Sequence, residues 1–180
     1  SWILLISLHN RNPLVLYGGD AVLRLLLFWS LFLPLGARYS CDSVFQGDSE
    51  RLPGRITSMA SAALLLQVVF IYAFTVLHKS SPVWWEEGRA VYDVLRYDVL
   101  ATPLGQNLLC FPLFLKGLTH AVIGFECIGP FLLFIPFFTS VVRTVTVFAF
   151  FCLQIGFGLS LHLQMFPWVS SVAMLPFLPT

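Results

Sequence analysis

Apolar residues occur in long runs that short polar segments separate. A transmembrane helix needs about 20 predominantly apolar residues to cross the hydrocarbon core of a bilayer. Four runs meet this length and two are shorter, so the pattern predicts an all-α fold: a polytopic integral membrane helical bundle of about four full and two partial spans. The full spans are predicted at residues 20–37, 59–78, 108–137 and 141–163, and the partial ones at 2–8 and 165–178.

Breaker residues and polar segments mark the ends of these spans. The polar stretch 38–58 contains Gly47, Pro53 and Gly54 and is predicted to be an extramembrane loop. Pro130 is expected to kink or end the span 108–137, because proline cannot donate a helix hydrogen bond. We find no internal repeat and expect one membrane domain over residues 1–180. Since the chain begins at Ser1, directly with apolar residues, we also expect it to be a fragment of a longer protein.

The segment 80–107 differs from the spans, because charged residues alternate with apolar ones at helical spacing. It contains Trp84, Trp85, Tyr92 and Tyr97, whose rings combine an apolar body with a polar edge and suit the membrane surface. We therefore predict an amphipathic helix that lies in the interface and that is broken at Thr102, Pro103 and Gly105.

Composition agrees with a membrane protein. Hydrophobic residues make up 58% of the chain and charged ones 11%, and the mean hydropathy is +0.85, whereas soluble domains have about 25% charged residues. The net charge is +1 and basic residues are scattered, which excludes a nucleic-acid-binding surface. The four cysteines show neither a Cys-x-x-Cys pair nor zinc-ligand spacing, so no metal is predicted. Membrane lipids are the expected partners.

Lys79 is the first candidate for chemistry, because it ends the apolar run 59–78. An amine that loses its hydration at the edge of a bilayer favours its neutral form, which is a base. Alternatively, the side chain extends along the hydrocarbon and places its ammonium among the headgroups. The adjacent His78 is either a proton partner of Lys79 or a second interfacial residue.

Glu126 and His162 are the other titratable candidates at membrane depth. Glu126 lies inside the span 108–137, and an intramembrane carboxylate usually faces a bundle interior or a cavity. It would orient a lysine or a substrate, or form a structural pair with Arg143, His162 or Lys79. His162 follows Gln154 and Gly158 on one polar, small stripe, so it either lines a cavity with Lys79 and Glu126 or anchors a helix end at the interface.

Three separated strings resemble bacterial proteins of the horizontally transferred transmembrane (HTTM) family, which is related to vitamin K-dependent gamma-glutamyl carboxylase. They are Ser-Leu-His-Asn-Arg-Asn-Pro-Leu-Val-Leu-Tyr-Gly-Gly-Asp (residues 7–20), Phe-Leu-Pro-Leu-Gly (32–36) and Phe-Pro-Trp-Val (166–169). Lys79 and Trp84 are also similar to the carboxylase pattern of a base lysine followed five residues later by tryptophan. The resemblance implies a bacterial cell-membrane location.

The resemblance also implies a mechanism. Neutral Lys79 would deprotonate vitamin K hydroquinone or another quinol, with Trp84 beside this cofactor. Oxygen would then add, and the strong base so formed would remove a gamma proton from a peptidyl glutamate, which carbon dioxide would carboxylate. This chain has His78 where the carboxylases carry a second lysine, and their large extramembrane portion has no counterpart within these 180 residues.

Two other functions are compatible with the sequence. The first is a non-catalytic membrane module of the same fold that binds a lipid or quinone or acts as a scaffold, and it predicts that Lys79 faces the headgroups, away from Glu126. The second is a transporter or proton relay that uses Glu126, Lys116, His120 and His162. A relay requires these groups to share one water-filled path, whereas an enzyme requires Lys79 at the mouth of a dry pocket.

Overall fold

The chain is helical in a computed structural model that describes residues 1–12, 16–33 and 58–178. The predicted all-α class is confirmed: these residues contain no β-strand, and their one isolated antiparallel bridge joins Ala101 to Leu161. The chain divides into two compact units, Ser1–Gln67 and Val68–Thr180. The prediction of one membrane domain stays a prediction, as does the extramembrane loop 38–58, which falls outside the described residues except for Ser58.

The described helices are α1 (Trp2–Arg11), α2 (Gly18–Ser30), α3 (Met59–His78), α4 (Pro82–Trp85), α5 (Ala90–Leu95), α6 (Pro103–Leu108), α7 (Pro112–Leu132), α8 (Thr139–Ser160) and α9 (Phe166–Met174), followed by a 3-10 turn at Leu175–Phe177. Three of the described helices, α3, α7 and α8, have 20, 21 and 22 residues, and the others are shorter.

Two of the described helices, α3 and α8, are long and apolar enough to cross a membrane. The bounds of α3 are those predicted, and α8 corresponds to the predicted span 141–163. The span 108–137 is shorter than predicted and corresponds to α7, which continues two residues beyond Pro130. The predicted span 20–37 begins with α2, and its last residues lie outside the described part. The number of membrane crossings therefore stays a prediction.

The segment 80–107 does not form the single amphipathic helix that was predicted. It contains three short helices, α4, α5 and α6. Two features explain the interruptions: Gly88 has a positive φ of 66°, which glycine adopts readily, and Pro103 begins α6 after the Thr102 N-cap. The break before Pro103 agrees with the prediction, whereas the interruption around Gly88 between α4 and α5 was not predicted.

In the first unit, α1 and α2 form a helical hairpin. The Trp2 indole donates to the carbonyl oxygen of Arg24 at 3.1 Å, and His9 Nε2 lies 3.8 Å from Asp20 Oδ1. Asp20 also accepts a hydrogen bond from the backbone of Tyr17, which caps the start of α2. Every predicted site residue lies in the second unit.

In the second unit, α7 and α8 bury one face each. The buried residues of α7 recur at helical spacing: Leu115, Thr119, Val122, Ile123, Glu126, Gly129 and Pro130. Phe150 of α8 is fully buried and packs on Tyr72 and Phe125, with ring centroids 4.7 and 4.5 Å away. A Cβ on Gly129 would lie 2.8 Å from Phe150 Cζ, so glycine permits this close approach.

The segment between α5 and α6 is attached to the end of α8. Thr102 donates its backbone N–H to the Ser160 carbonyl at 3.0 Å and its hydroxyl to the Leu159 carbonyl at 2.6 Å. These bonds satisfy carbonyl groups that the end of a helix leaves without intrahelical partners. The preceding helix α5 packs against α7, where Leu95 and Leu115 belong to one buried cluster.

Candidate functional site: a lysine–glutamate pair beside an apolar cavity

Lys79 and Glu126 are in direct contact, since the Lys79 amine donates a hydrogen bond to a Glu126 carboxylate oxygen. Lys79 follows the last residue of α3, and its backbone N–H still bonds to Thr75 and Val76. Glu126 lies on the buried face of α7. The side chains are 17% and 5% exposed, respectively. A charge removed from water to this extent requires a partner, and each of these residues supplies it for the other.

Trp84 covers the amine. Its ring centroid lies 4.4 Å from Lys79 Nζ, a geometry in which the face of the indole attracts a cation. The sequence explains the turn that places it: the Ser81 side chain accepts from the Val83 N–H and Pro82 begins α4. The indole N–H of Trp85 donates to the Lys79 carbonyl oxygen at 2.8 Å, which fixes α4 to the end of α3.

His120 attaches the same turn to α7. Its Nε2 lies 3.2 Å from the Trp85 carbonyl oxygen, and its Nδ1 lies 2.9 Å from the Lys116 carbonyl oxygen. Gly88 packs so closely on the imidazole that a Cβ there would lie 2.2 Å from a ring carbon of His120. The helix with the two tryptophans is thus held by contacts to both α3 and α7.

An apolar cavity of about 200 Å³ lies next to this turn, and Trp84 forms part of its wall. Val122, one turn before Glu126 on α7, also lines it. The cavity therefore shares a wall with the lysine–glutamate pair. The other lining residues come from α5, α6, α7, α8 and the segments that follow α8: Val91, Val94, Leu95, Leu108, Leu118, Cys152, Leu153, Gly156, Phe157, Ser160 and Leu161.

The two histidines predicted for the site are placed elsewhere. His78 is exposed, and its Nδ1 contacts the Phe74 carbonyl oxygen at 2.8 Å. His162 is exposed and lines a different cavity, of about 320 Å³, together with Gln154. Trp84, which covers Lys79, lines the apolar cavity instead, so a cavity bordered by Lys79, Glu126 and His162 stays a prediction. The chemical roles of the predicted site residues stay predictions; these residues are Lys79, His78, Glu126, His162 and Trp84.

Sequence reasoning missed one buried polar contact. Gln154 Nε2 donates to the Tyr72 hydroxyl oxygen at 3.2 Å, and both side chains are buried. Tyr72 lies seven residues before Lys79, which places both on one face of the helix and its extension. A glutamine and a tyrosine inside apolar runs were the available signal, but their separation of 82 residues concealed the pairing.

Comparisons with protein-family models, curated proteins and solved structures found no match to this chain. The HTTM resemblance therefore stays a prediction that rests on the strings in the sequence.

Proposed function

We propose that the chain is an integral membrane protein. In the most apolar 18-residue stretch of each helix, only 17% of the residues in α3 and 22% of those in α8 are buried within the protein. Phe70, Phe74 and Phe148, for example, are exposed. A core helix of a soluble protein buries such residues, and large exposed apolar patches are typical of surfaces that contact lipid or another protein. Resistance of the full-length protein to alkaline extraction from membranes would test this proposal; release as a folded, soluble protein would contradict it.

Within that setting, we propose a carboxylase-like protein in which Lys79 acts as a base toward a quinol. The observation that carries this proposal is the contact between Lys79 and Glu126 under the Trp84 ring, beside an apolar cavity that Trp84 also lines. The cavity wall is apolar, which fits the ring of a quinol. Gamma-carboxylation of a peptidyl glutamate is the reaction that the family resemblance implies.

Glu126 supports this role because it can hold the proton that Lys79 must lose. Transfer of a proton from Lys79 Nζ to the Glu126 carboxylate leaves a neutral amine. This amine can then accept a proton from a substrate hydroxyl. A quinol, when bound, would supply the reducing equivalents for oxygen-dependent chemistry.

Reconstitution of the full-length protein with reduced naphthoquinone, oxygen, labelled bicarbonate and a glutamate-rich peptide would test the activity. We expect quinone epoxide and label incorporation from the wild type, and loss of both in Lys79→Met and Glu126→Leu. Lys116→Met is the matched control, because Lys116 is exposed and lies on a different face of α7. Label uptake separates carboxylation from oxygenation alone. Absence of both products from a folded wild type would contradict the catalytic proposal.

A non-catalytic module that binds a lipid or quinone is the second candidate. The apolar wall of the cavity favours it, whereas the contact between Lys79 and Glu126 differs from its prediction that Lys79 faces the headgroups. Cys152 lies in that wall, so a maleimide can report occupancy. With Cys41, Cys110 and Cys127 changed to serine, 2,3-dimethyl-1,4-naphthoquinone, whose blocked ring does not add to thiols, should slow the labelling of Cys152. Gly156→Leu, which fills open space at the wall, should remove that protection. Protection without epoxide formation would select this module.

The relay alternative receives less support. Lys116 and His120 are exposed, and His120 is engaged with backbone carbonyl groups. Glu126 contacts Lys79, whereas His162 lines the other cavity. A relay through these groups stays a prediction.

A further inference from the structure

The second cavity differs in character from the apolar one. It has a volume of about 320 Å³, within the range of small-molecule sites. Polar side chains from three parts of the chain line it: Gln154 from α8, His162 and Gln164 from the segment that follows α8, and Ser171 from α9. The indole of Trp168 adds an apolar surface to the same wall. The cavity thus combines polar and aromatic contacts.

Gln154 contains the feature that points to a ligand. The residue is 1% exposed, and its Nε2 is used by Tyr72. Its Oε1 has no hydrogen-bond partner among the described residues, although it is buried. A buried acceptor without a donor is costly, so native structures rarely keep one. Gln154 lines the cavity, and a rotation of its side-chain amide would bring Oε1 within reach of a donor on a molecule bound there.

From this arrangement we infer that the second cavity binds a neutral hydroxylated aromatic compound, whose hydroxyl hydrogen-bonds to the Gln154 amide. The lining contains no lysine, arginine, aspartate or glutamate, so it provides no fixed charge for an ionic ligand. A hydroxyl group both donates and accepts, which suits an amide side chain. Trp168 provides a surface on which an aromatic ring can stack. This inference does not depend on the catalytic proposal, since neither Lys79 nor Glu126 lines this cavity.

Two neighbouring glycines provide matched variants. Gly158 lines the second cavity, and a Cβ there would make ordinary contact with Pro167 at 3.6 Å. Gly156 lines the apolar cavity, and a Cβ there would meet nothing within 4 Å. Leucine at either position should therefore fold and should fill one cavity while leaving the other open.

The experiment compares 2-naphthol with 2-methoxynaphthalene, which keeps the rings but has no donor. The two affinities are measured by isothermal titration calorimetry of the full-length protein in detergent. Empty micelles are the blank. We expect the wild type to bind 2-naphthol about tenfold more tightly, as one buried hydrogen bond implies. Gln154→Leu should remove this preference. Gly158→Leu should weaken both compounds, and Gly156→Leu should leave the preference unchanged.

Equal affinities of the wild type for the two compounds would overturn the inference, as would a preference that persists in Gln154→Leu. A preference lost in Gly156→Leu but kept in Gly158→Leu would place the ligand in the apolar cavity and would also overturn it. If Gln154→Leu fails to fold, the pair of glycine variants decides the question. Neither result depends on epoxide formation, so failure here is distinguishable from failure of the proposed activity.

Discussion

Trp85 donates its indole N–H to the backbone carbonyl oxygen of Lys79 at 2.8 Å, across a turn of six residues. This bond attaches the helix that carries both tryptophans to the residue whose amine one of them covers. The position of Trp84 over Lys79 therefore depends on its neighbour. The Lys79 amine therefore contacts the Trp84 ring and the Glu126 carboxylate at the same time.

The bond from Trp85 predicts a measurable loss of stability. Trp85→Phe keeps an aromatic ring but removes the donor, and we expect the free energy of unfolding to fall by about 1 kcal/mol. Urea unfolding in detergent, followed by circular dichroism, measures this. Trp168→Phe is the control, because Trp168 is 70% exposed and donates no hydrogen bond within the described residues. Equal stability of the two variants would contradict the role given to the Trp85 indole.

The lysine–glutamate pair predicts strong coupling between its two members. Glu126→Leu leaves a largely buried ammonium without its counterion and should cost about 3–5 kcal/mol. The double variant Lys79→Met, Glu126→Leu replaces the pair by apolar side chains and should recover most of that loss. Unfolding of the wild type, the two single variants and the double variant completes the cycle, and Lys116→Met is the control. Additive effects of the two single substitutions would show that the pair is not coupled.

A side chain at Gly105 is expected to clash where α6 meets the end of α8. A Cβ there would lie 2.3 Å from the Ser160 carbonyl oxygen and 2.8 Å from Leu95 Cδ2. Since a backbone atom cannot rotate away, Gly105→Ala should destabilise the protein by about 1–3 kcal/mol. Gly117→Ala is the matched control, because a Cβ at Gly117 meets nothing within 4 Å, and alanine favours a helix by up to about 1 kcal/mol. Similar melting temperatures for the two variants would refute the close approach.

Arg143 is expected to stabilise the end of α7. Its Nε donates to the Leu133 carbonyl oxygen at 2.8 Å, and a cation near the carbonyl end of a helix is favourable. Arg143→Met should lower the free energy of unfolding by about 1.5–3 kcal/mol. Arg89→Met should change it by less than about 1 kcal/mol, because Arg89 pairs with Glu87 and Asp93 at an exposed site. A larger loss in Arg89→Met would contradict this assignment.

The parts of the fold that could be predicted are those that local pattern determines. Met59–His78 is an uninterrupted apolar run with polar residues at its end, so both helix bounds followed from the sequence. The break at Thr102 and Pro103 could also be predicted, because proline cannot continue a helix. The interruption around Gly88 could not, because a lone glycine is compatible with an amphipathic helix unless its φ is known to be positive.

The site was predictable as candidates but not as an arrangement. Lys79 and Glu126 were each conspicuous as charges in apolar surroundings, yet 47 residues separate them, and their contact depends on how α3 and α7 pack. His162 had the same kind of signal and faces a different cavity. Gln154 and Tyr72 are polar but uncharged, so their mutual hydrogen bond had no comparable signal in the sequence.

Gly156 and Gly158 stand two residues apart on α8, and each lines one of the two cavities. A substitution at either glycine would alter the size of one cavity. It would leave the sequence of α3 and α7, and the Lys79–Glu126 pair that these helices position, unchanged. Related proteins can thus differ in the ligand that each cavity accepts and still keep the Lys79–Glu126 pair. Natural variation at these two glycines would then mark changes of ligand rather than losses of fold.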